Sequence, residues 1–436
     1  MILHSTRGAA PSTDFRGALF QGQAPDGGLY MPDSLPVVDL ERFRRLARFS
    51  YKDLAAALVE VLLGDELGEA DRISIVEQAY SFEPVLRPVG GPFYALELFH
   101  GPTLSFKDFG AQFMAKCMGH FIKEGGEEIT ILVATSGDTG SAVAHAYHKV
   151  DGIRIVLLYP SGKVSPLQEK QFTTLGDNVD ALEIQGTFDD CQALVKRAFA
   201  DGELSRKRRL SSANSINIGR LVPQSFYYFF GVLNLDVRPE DVVICVPSGN
   251  FGNLTAGLFA GEMGLNPRQY LAAVNRNKVI PEYLKSGEYR PRPSIRTLSN
   301  AMDVGDPSNW ERIRHLFGDD ADRIRARLYS DSVEDTTTLQ RMWREYEGSG
   351  YVIDPHTAVG FEVAQRYYAG GAVPVNSPCI ILSTAHPGKF KETVVEALGF
   401  DYELPEALKA LQHRGKMSTP LSSRYQDFKD YLWHTL

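Results

Sequence analysis

Residues 242–257 read VVICVPSGNFGNLTAG: an unbroken apolar, β-branched run, then a Ser/Gly/Asn turn, then a helical pattern. Continuous rather than alternating hydrophobicity marks a strand covered on both faces, as in a parallel sheet sandwiched by helices. The same order recurs along the chain. ITILVA (129–134) runs into TSGDTGSA (135–142), and IRIVLLY (153–159) and CIILST (379–384) are further apolar runs of strand length. Helical patterns fall at 109–123, 139–149, 187–200 and 252–263. Strands alternating with helices predict an α/β fold assembled from βαβ units.

The flanks read differently. Residues up to about 37 are rich in Pro and Gly, helical patterns follow at 41–64 and 70–80, and RPVGGP (87–92) has the composition of a boundary. Past residue 400 the chain turns charged and polar, with helix-like stretches in PEALKALQHRGKM and YQDFKDYLWHTL. There is no internal repeat and no low-complexity tract.

Composition removes several classes of function. Over 436 residues the net charge is −8, so no basic field invites nucleic acid or an anionic membrane. No apolar stretch has the length needed to cross a bilayer. The opening MILHSTRGAAPSTDF lacks the layout of a signal or transit peptide. Cys117, Cys191, Cys245 and Cys379 are scattered without a CxxC pair, which predicts reduced core thiols and a cytoplasmic setting. GxSxG, GxxxxGK[ST] and HExxH are all missing, and SGNFGN does not fit GxGxxG, which disfavours a nicotinamide dinucleotide site. His145 and His148 stand three apart with no carboxylate or cysteine beside them, so they read as a helix-surface pair and no metal is expected.

The chemistry concentrates in loops that follow strands. In open α/β sheets ligands collect there, because helix N-termini present free N–H groups and the positive end of a dipole. TSGDTGSA and SGNFGNLTAG both have that placement, and their glycines allow the backbone to approach an anion closely. Either loop alone would read as a tight turn. A third polar stretch, NSINIGR (214–220), offers Asn214, Ser215, Asn217 and the fork of Arg220, which by itself would pass for an ordinary surface arginine. Lys107, in LSFKDFG (104–110), precedes a helix and would alone read as a solubilising lysine.

Taken together, HGPTLSFKDFGAQF (100–113), ATSGDTGSAVAHA (134–146), YPSGKVSPLQEKQ (159–171), SSANSINIGRL (211–221), VPSGNFGNLTAG (246–257), LSNAMDVGDPSNW (298–310) and STAHPGKF (383–390), with FQGQAPDGGLYMP (20–32) before them, resemble the threonine synthase family in its longer, bacterial and fungal form. The resemblance covers nearly the whole chain. It implies the fold type II architecture of pyridoxal-phosphate enzymes: two open, mostly parallel α/β lobes with the cofactor between them. The implied division is an N-terminal, largely helical domain over 1–90, a catalytic region over 91–400 whose smaller lobe spans about 100–225, and a helical tail over 401–436.

The family's activity would be conversion of O-phospho-L-homoserine and water to L-threonine and phosphate by β,γ-elimination and replacement. By resemblance, Lys107 is the Schiff-base lysine and moves the substrate's protons. Gly249, Asn250, Phe251 and Asn253 match the loop for the cofactor phosphate, and Thr384 matches the hydroxyl facing the pyridine nitrogen. Ser136 and Thr139 match the loop receiving the substrate carboxylate; Asn214, Ser215, Asn217 and Arg220 match the stretch holding its phosphate. Asp138 stands where many fold type II enzymes carry Asn beside the ring hydroxyl of the cofactor. Phe106 and Phe109 are expected to give Lys107 dry surroundings, since only an unprotonated amine attacks an aldehyde. Two alternatives stay open: a phospho-lyase of the same family releasing 2-oxobutyrate, and a non-catalytic binding protein on the same fold. Monomer and homodimer are both open. No nucleic acid or membrane partner is expected.

Overall fold

The computed structural model describes residues 1–125 and 128–435. The Pro/Gly-rich start forms a small antiparallel sheet of β1 (Ile2–Ser5), β2 (Thr13–Asp14) and β3 (Tyr30–Pro32), ordered β2-β1-β3. Helix α1 (Phe15–Gln21) is inserted between β2 and β3, so the N-terminal region is more mixed than its composition suggested. The run expected to be helical over 41–64 is two helices, α2 (Leu40–Phe49) and α3 (Tyr51–Leu63). Ser50 divides them: its backbone is extended, and its hydroxyl caps α3 by accepting from the amides of Lys52 and Asp53. Helix α4 (Glu69–Ala79) completes this region.

RPVGGP does not separate two bodies. It is the turn of a hairpin between β4 (Val85–Gly90) and β5 (Phe93–Glu97), where Gly90 and Gly91 take φ of +146° and +53°. Such backbone favours glycine, so a composition that read as a boundary belongs to a turn inside a sheet.

Next along the chain, α5 (Lys107–Gly125), β6 (Ile129–Ala134), α6 (Asp138–Tyr147), β7 (Ile153–Pro160), α7 (Pro166–Thr173), β8 (Val179–Gln185), α8 (Phe188–Ala200), α9 (Gly202–Lys207) and β9 (Leu210–Ser212) build the smaller lobe. Short helices α10 (Ile218–Leu221) and α11 (Ser225–Leu233) lead to the larger one. There β10 (Val243–Pro247), α12 (Gly252–Ala260), β11 (Gln269–Val274), β12 (Leu328–Ser332) and β13 (Cys379–Ser383) join the hairpin in a sheet ordered β12-β11-β10-β13-β5-β4, antiparallel only at β4–β5. Every residue of β6, β10 and β13 is buried, as unbroken apolar runs require of central parallel strands.

The tail is not simply helical. β14 (Thr419–Ser422) pairs parallel with β8 and extends the smaller sheet to β14-β8-β7-β6-β9. The last helix, Tyr425–His434, buries Phe428 and Leu432 in the cluster that also holds Cys191, Leu194 and Ala198 of α8. No described helix is long and apolar enough to cross a membrane.

Candidate active site

Lys107 is the first residue of α5, and its position is set by backbone pairing with the far end of the chain. Ser105 bridges Ala385, the Phe106 amide donates to the Thr384 carbonyl at 2.9 Å, and the His386 amide donates to the Leu104 carbonyl at 3.1 Å. Lys107 and Thr384 therefore meet where the end of β13 touches the start of α5. Thr384 is buried there.

The Lys107 amine faces the Asp138 carboxylate of α6 at 3.4 Å and lies 5.1 Å from the centre of the Phe106 ring. Burial pulls Lys107 below the ordinary lysine range; Asp138 opposes the shift, while the cations Lys389 and Arg220 add to it. Asp138 is itself buried. Burial alone would raise its pKa, but Lys389 and Lys107 reverse that and hold the carboxyl well below the usual range. Asp108, the next residue, accepts from the amide and hydroxyl of Thr103, and burial outweighs those bonds to push it up to about 6. Only one of the two phenylalanines does what was expected of it. Phe106 faces the amine, whereas Phe109 packs among Tyr51, Tyr80, Phe82 and Tyr227, because residues two apart on a helix point to different sides.

The loop 248–253 links β10 to α12. Phe251 adopts left-handed backbone at φ +61° and packs edge-on against Trp310. A Cβ on Gly249 would stand 2.7 Å from Met302 Cα and 2.8 Å from the Ala301 carbonyl, so only glycine fits. Asn250 ties this loop to the 214–220 stretch: its Nδ2 donates to Ser215 Oγ at 2.6 Å, and its Oδ1 accepts from the Ser308 amide at 2.6 Å. Accepting leaves the Ser215 hydroxyl hydrogen available to a ligand. Asn253 accepts from the hydroxyls of Tyr227 and Tyr228, both at 2.7 Å, while its buried Nδ2 has no partner.

Arg220 is buried, with Nη1 donating to the Ala213 carbonyl at 2.6 Å and a buried Nε that has no partner. Burial lowers it to about 10. It lies against Gly110, where an added Cβ would come 3.2 Å from its Nε. Gly110 is one turn from Lys107 on the same face of α5, so the unpartnered Nε stands on the lysine side of the helix. The buried Oδ1 of Asn214 also lacks a partner. On the third loop Ser136 is exposed and Thr139 half-buried at the start of α6, where Thr135 Oγ1 orders the turn by accepting from the amides of Gly137 and Gly140.

Asn217 departs from its expected role. Its Nδ2 donates to the carbonyls of Leu19 and Ser212, both at 2.9 Å, and its Oδ1 caps α10 by accepting from Gly219. Both amide hydrogens are spent, so Asn217 fixes the loop against α1 rather than contacting a ligand. Local polarity could not reveal this, because the acceptor on Leu19 arrives from the N-terminal region.

Sequence reading passed over several supporting residues. Lys389 and Gln168 both reach Asp138 Oδ1, at 2.7 and 2.8 Å. Arg312 is buried and anchors the 214–220 loop through the carbonyls of Ser215 and Ile216, with Asn309 Oδ1 accepting from Nη1 at 2.6 Å. Burial lowers Arg312 to about 9. The motifs YPSGKVSPLQEKQ, LSNAMDVGDPSNW and STAHPGKF contain Gln168, Asn309 and Lys389; Arg312 lies just past the second of these. Among the described residues no cluster of three His, Cys, Asp or Glu could hold a metal ion.

Residues 81–384 match the model for pyridoxal-phosphate dependent enzymes, residues 3–80 the threonine synthase N terminus, and residues 357–432 the threonine synthase C-terminal region. A threonine synthase of Haemophilus influenzae is 42% identical over 436 residues, covering 99% of each chain. The crystal structure of Escherichia coli threonine synthase superposes with a TM-score of 0.92 at 39% identity, covering 100% of both chains. A PLP-bound threonine synthase from Brucella melitensis gives 0.93 at 37% identity, covering 100% of this chain and 99% of that one.

Proposed function

The chain belongs to the threonine synthase family of pyridoxal-phosphate enzymes, and from that premise we propose that it converts O-phospho-L-homoserine and water to L-threonine and phosphate. The observation that carries the reading is a half-buried amine, Lys107, with two groups of anion donors, the 248–253 loop and the 214–220 stretch, that are tied to each other by the Asn250–Ser215 hydrogen bond.

The residues present fit pyridoxal 5′-phosphate. The loop at 248–253 excludes a Cβ at Gly249 and holds a buried, unpartnered donor at Asn253 Nδ2 beside the first turn of α12, which supports its holding the cofactor phosphate. Gly249, Asn250 and Phe251 supply that loop, Thr384 would face the ring nitrogen and Asp138 the ring hydroxyl. When bound, the cofactor supplies an electron sink for negative charge generated on the carbons of the substrate.

The protein's own contribution is binding, orientation and proton transfer. Ser136, Thr139 and the amides starting α6 take the substrate carboxylate. Asn214, Ser215 and Arg220 hold the phosphate, with Arg312 keeping their loop in place; a forked, desolvated cation suits an anion that departs as phosphate. The Lys107 amine, whose pKa burial lowers, removes and returns the substrate's protons at its Nζ. The proposal includes a cytoplasmic setting, supported by four cysteines that are all free and buried.

The test is turnover of O-phospho-L-homoserine with phosphate, threonine and 2-oxobutyrate all quantified. Equal amounts of phosphate and threonine are expected. Phosphate released with 2-oxobutyrate would replace the reading by the phospho-lyase alternative, and no phosphate at all would leave a binding protein. Lys107→Ala should abolish both turnover and the visible absorption of bound cofactor; full turnover by that variant would sink the assignment.

A further inference from the structure

Lys389 is the only lysine among the described residues whose side chain is shut off from solvent, at 0% exposed. It stands on the short turn Pro387–Phe390 that follows β13 in the larger lobe. From there its ammonium crosses to the smaller lobe, reaching Asp138 Oδ1 at 2.7 Å and the Thr103 carbonyl at 2.7 Å. Gln168 Nε2 donates to the same carboxylate oxygen at 2.8 Å, while the other oxygen faces Lys107 at 3.4 Å. Two ammonium groups thus compete for one buried carboxylate, and Lys389 holds the shorter contact.

The remaining charged groups around this cluster do not alter the balance in favour of Lys107. Arg220 of α10 adds positive charge beside Lys107, and His356 of the helix Pro355–Ala369 faces Asp138 from the larger lobe. Asp108 of α5 is turned to Thr103, which also takes Lys389 on its carbonyl. If Lys389 and Asp138 pair as a neutral unit, Lys107 is left without an anion of its own. A buried amine without a counter-ion is cheapest in its neutral form, which is the nucleophilic one.

We propose that Lys389 is a positioning residue that neutralises the charge of the Asp138 carboxylate through its Oδ1, so that Lys107, which faces the other oxygen, is left as a free amine. The Lys389–Asp138 pair is then the charge-balanced counterpart of the uncharged amide that many enzymes of this fold carry beside the ring hydroxyl. Lys389 sits outside the expected phosphate and carboxylate loops and acts only through Asp138. The inference rests on the role proposed for Lys107, and its test is chosen so that the two fail separately.

The experiment compares the native full-length holoenzyme with Lys389→Met, Lys389→Arg, Asp138→Asn and the double variant Lys389→Met/Asp138→Asn. The readouts are the pH profile of kcat, which reports the substrate-bound enzyme in which Lys107 is a free amine, and the pH dependence of the visible absorption of the bound cofactor. Removing the Lys389 charge leaves Asp138 free to stabilise a protonated Lys107, so Lys389→Met should move the acid limb of the profile upward by about one pH unit, with about tenfold less activity on that limb. Asp138→Asn alone leaves an unbalanced cation and should move the limb downward. The double variant restores neutrality and should be more active than Lys389→Met, with its limb returned toward the native position. Lys389→Arg keeps the charge and should keep the limb.

A purely structural role for Lys389 would lower stability in all these variants without opposite shifts and without rescue by Asp138→Asn. The proposal is overturned if Lys389→Met leaves the limb in place or if the double variant is no better than the single one. Should Lys389→Met not fold, the Asp138→Asn and Lys389→Arg profiles decide: a limb unmoved by the first, or moved upward by the second, refutes it. An inactive Lys107→Ala beside an unshifted Lys389→Met would sink this inference alone.

Discussion

Substituting Gly249 by alanine tests the anion loop with a single methyl group. That methyl would lie 2.7 Å from Met302 Cα and 2.8 Å from the Ala301 carbonyl oxygen. Ordinary contact begins near 3.5 Å, so one of the two backbone segments has to retreat by roughly 0.7 Å, with no rotamer to relieve it. The 300–302 turn is the better anchored of the two. The Ala301 amide donates to His356 Nε2 at 3.1 Å, the Met302 amide to Ser299 at 2.9 Å, and the adjoining Asp303 accepts from Thr297 and Asn275. The loop carrying Asn250 and Phe251 therefore moves. A donor displaced by about 0.7 Å turns a hydrogen bond of about 2.9 Å into a contact of about 3.6 Å, which no longer counts as one. Losing one bond to a charged phosphate costs about 1.5–3 kcal/mol, or about 10- to 150-fold in affinity. The assay is the Kd for pyridoxal phosphate, followed by visible absorption, with Gly348→Ala as control. Gly348 has open space around its Cβ position and lies within the helix Asp335–Ser349, so that change should stabilise by about 0.5–1 kcal/mol. Affinity of Gly249→Ala within threefold of the native protein would refute the cradle reading.

Arg220→Met should raise KM for O-phospho-L-homoserine by about 10- to 100-fold while the cofactor's visible absorption persists, because it removes a charge-assisted contact of about 1.5–3 kcal/mol; an unchanged KM would remove Arg220 from the phosphate site. Stability should fall in mild acid through His145. Burial depresses it to about 4, against the bond from its ring to the Gln171 carbonyl, so its contribution is full above about pH 6.5 and disappears as pH falls toward 4. His145→Gln should flatten that part of the Tm-versus-pH curve by about 1–3 kcal/mol; an unchanged slope would contradict a neutral buried imidazole. Asp108 works in the opposite sense, since a carboxyl raised to about 6 contributes fully below about pH 4 and loses that contribution as pH rises through 6.

Local pattern determined a good deal of this protein. Buried parallel strands announce themselves as unbroken apolar runs, and β6, β7, β10 and β13 lie where ITILVA, IRIVLLY, VVICVP and CIILST placed them. Glycines and small hydroxyls after strands marked the loops we propose for ligand binding, because close backbone approach leaves a compositional trace. The family resemblance picked out Lys107 among many lysines. Local pattern misjudged the places where a partner comes from elsewhere in the chain. RPVGGP looked like a boundary because a hairpin turn and a linker use the same residues, and the decision rests with β5 pairing to β13. The tail looked helical until β8 offered a free edge to β14.

The same division holds inside the site. Sequence alone fixed which chemical groups are available: an amine at 107, a fork at 220, a carboxylate at 138. Only the tertiary structure decided their states. It spent Asn217 on Leu19, left the Arg220 Nε without a partner against Gly110, and set Lys389 against Asp138 across the lobes. Burial and the identity of the nearest charge govern protonation and reactivity, and both depend on segments far apart in the chain that meet only when the fold is complete.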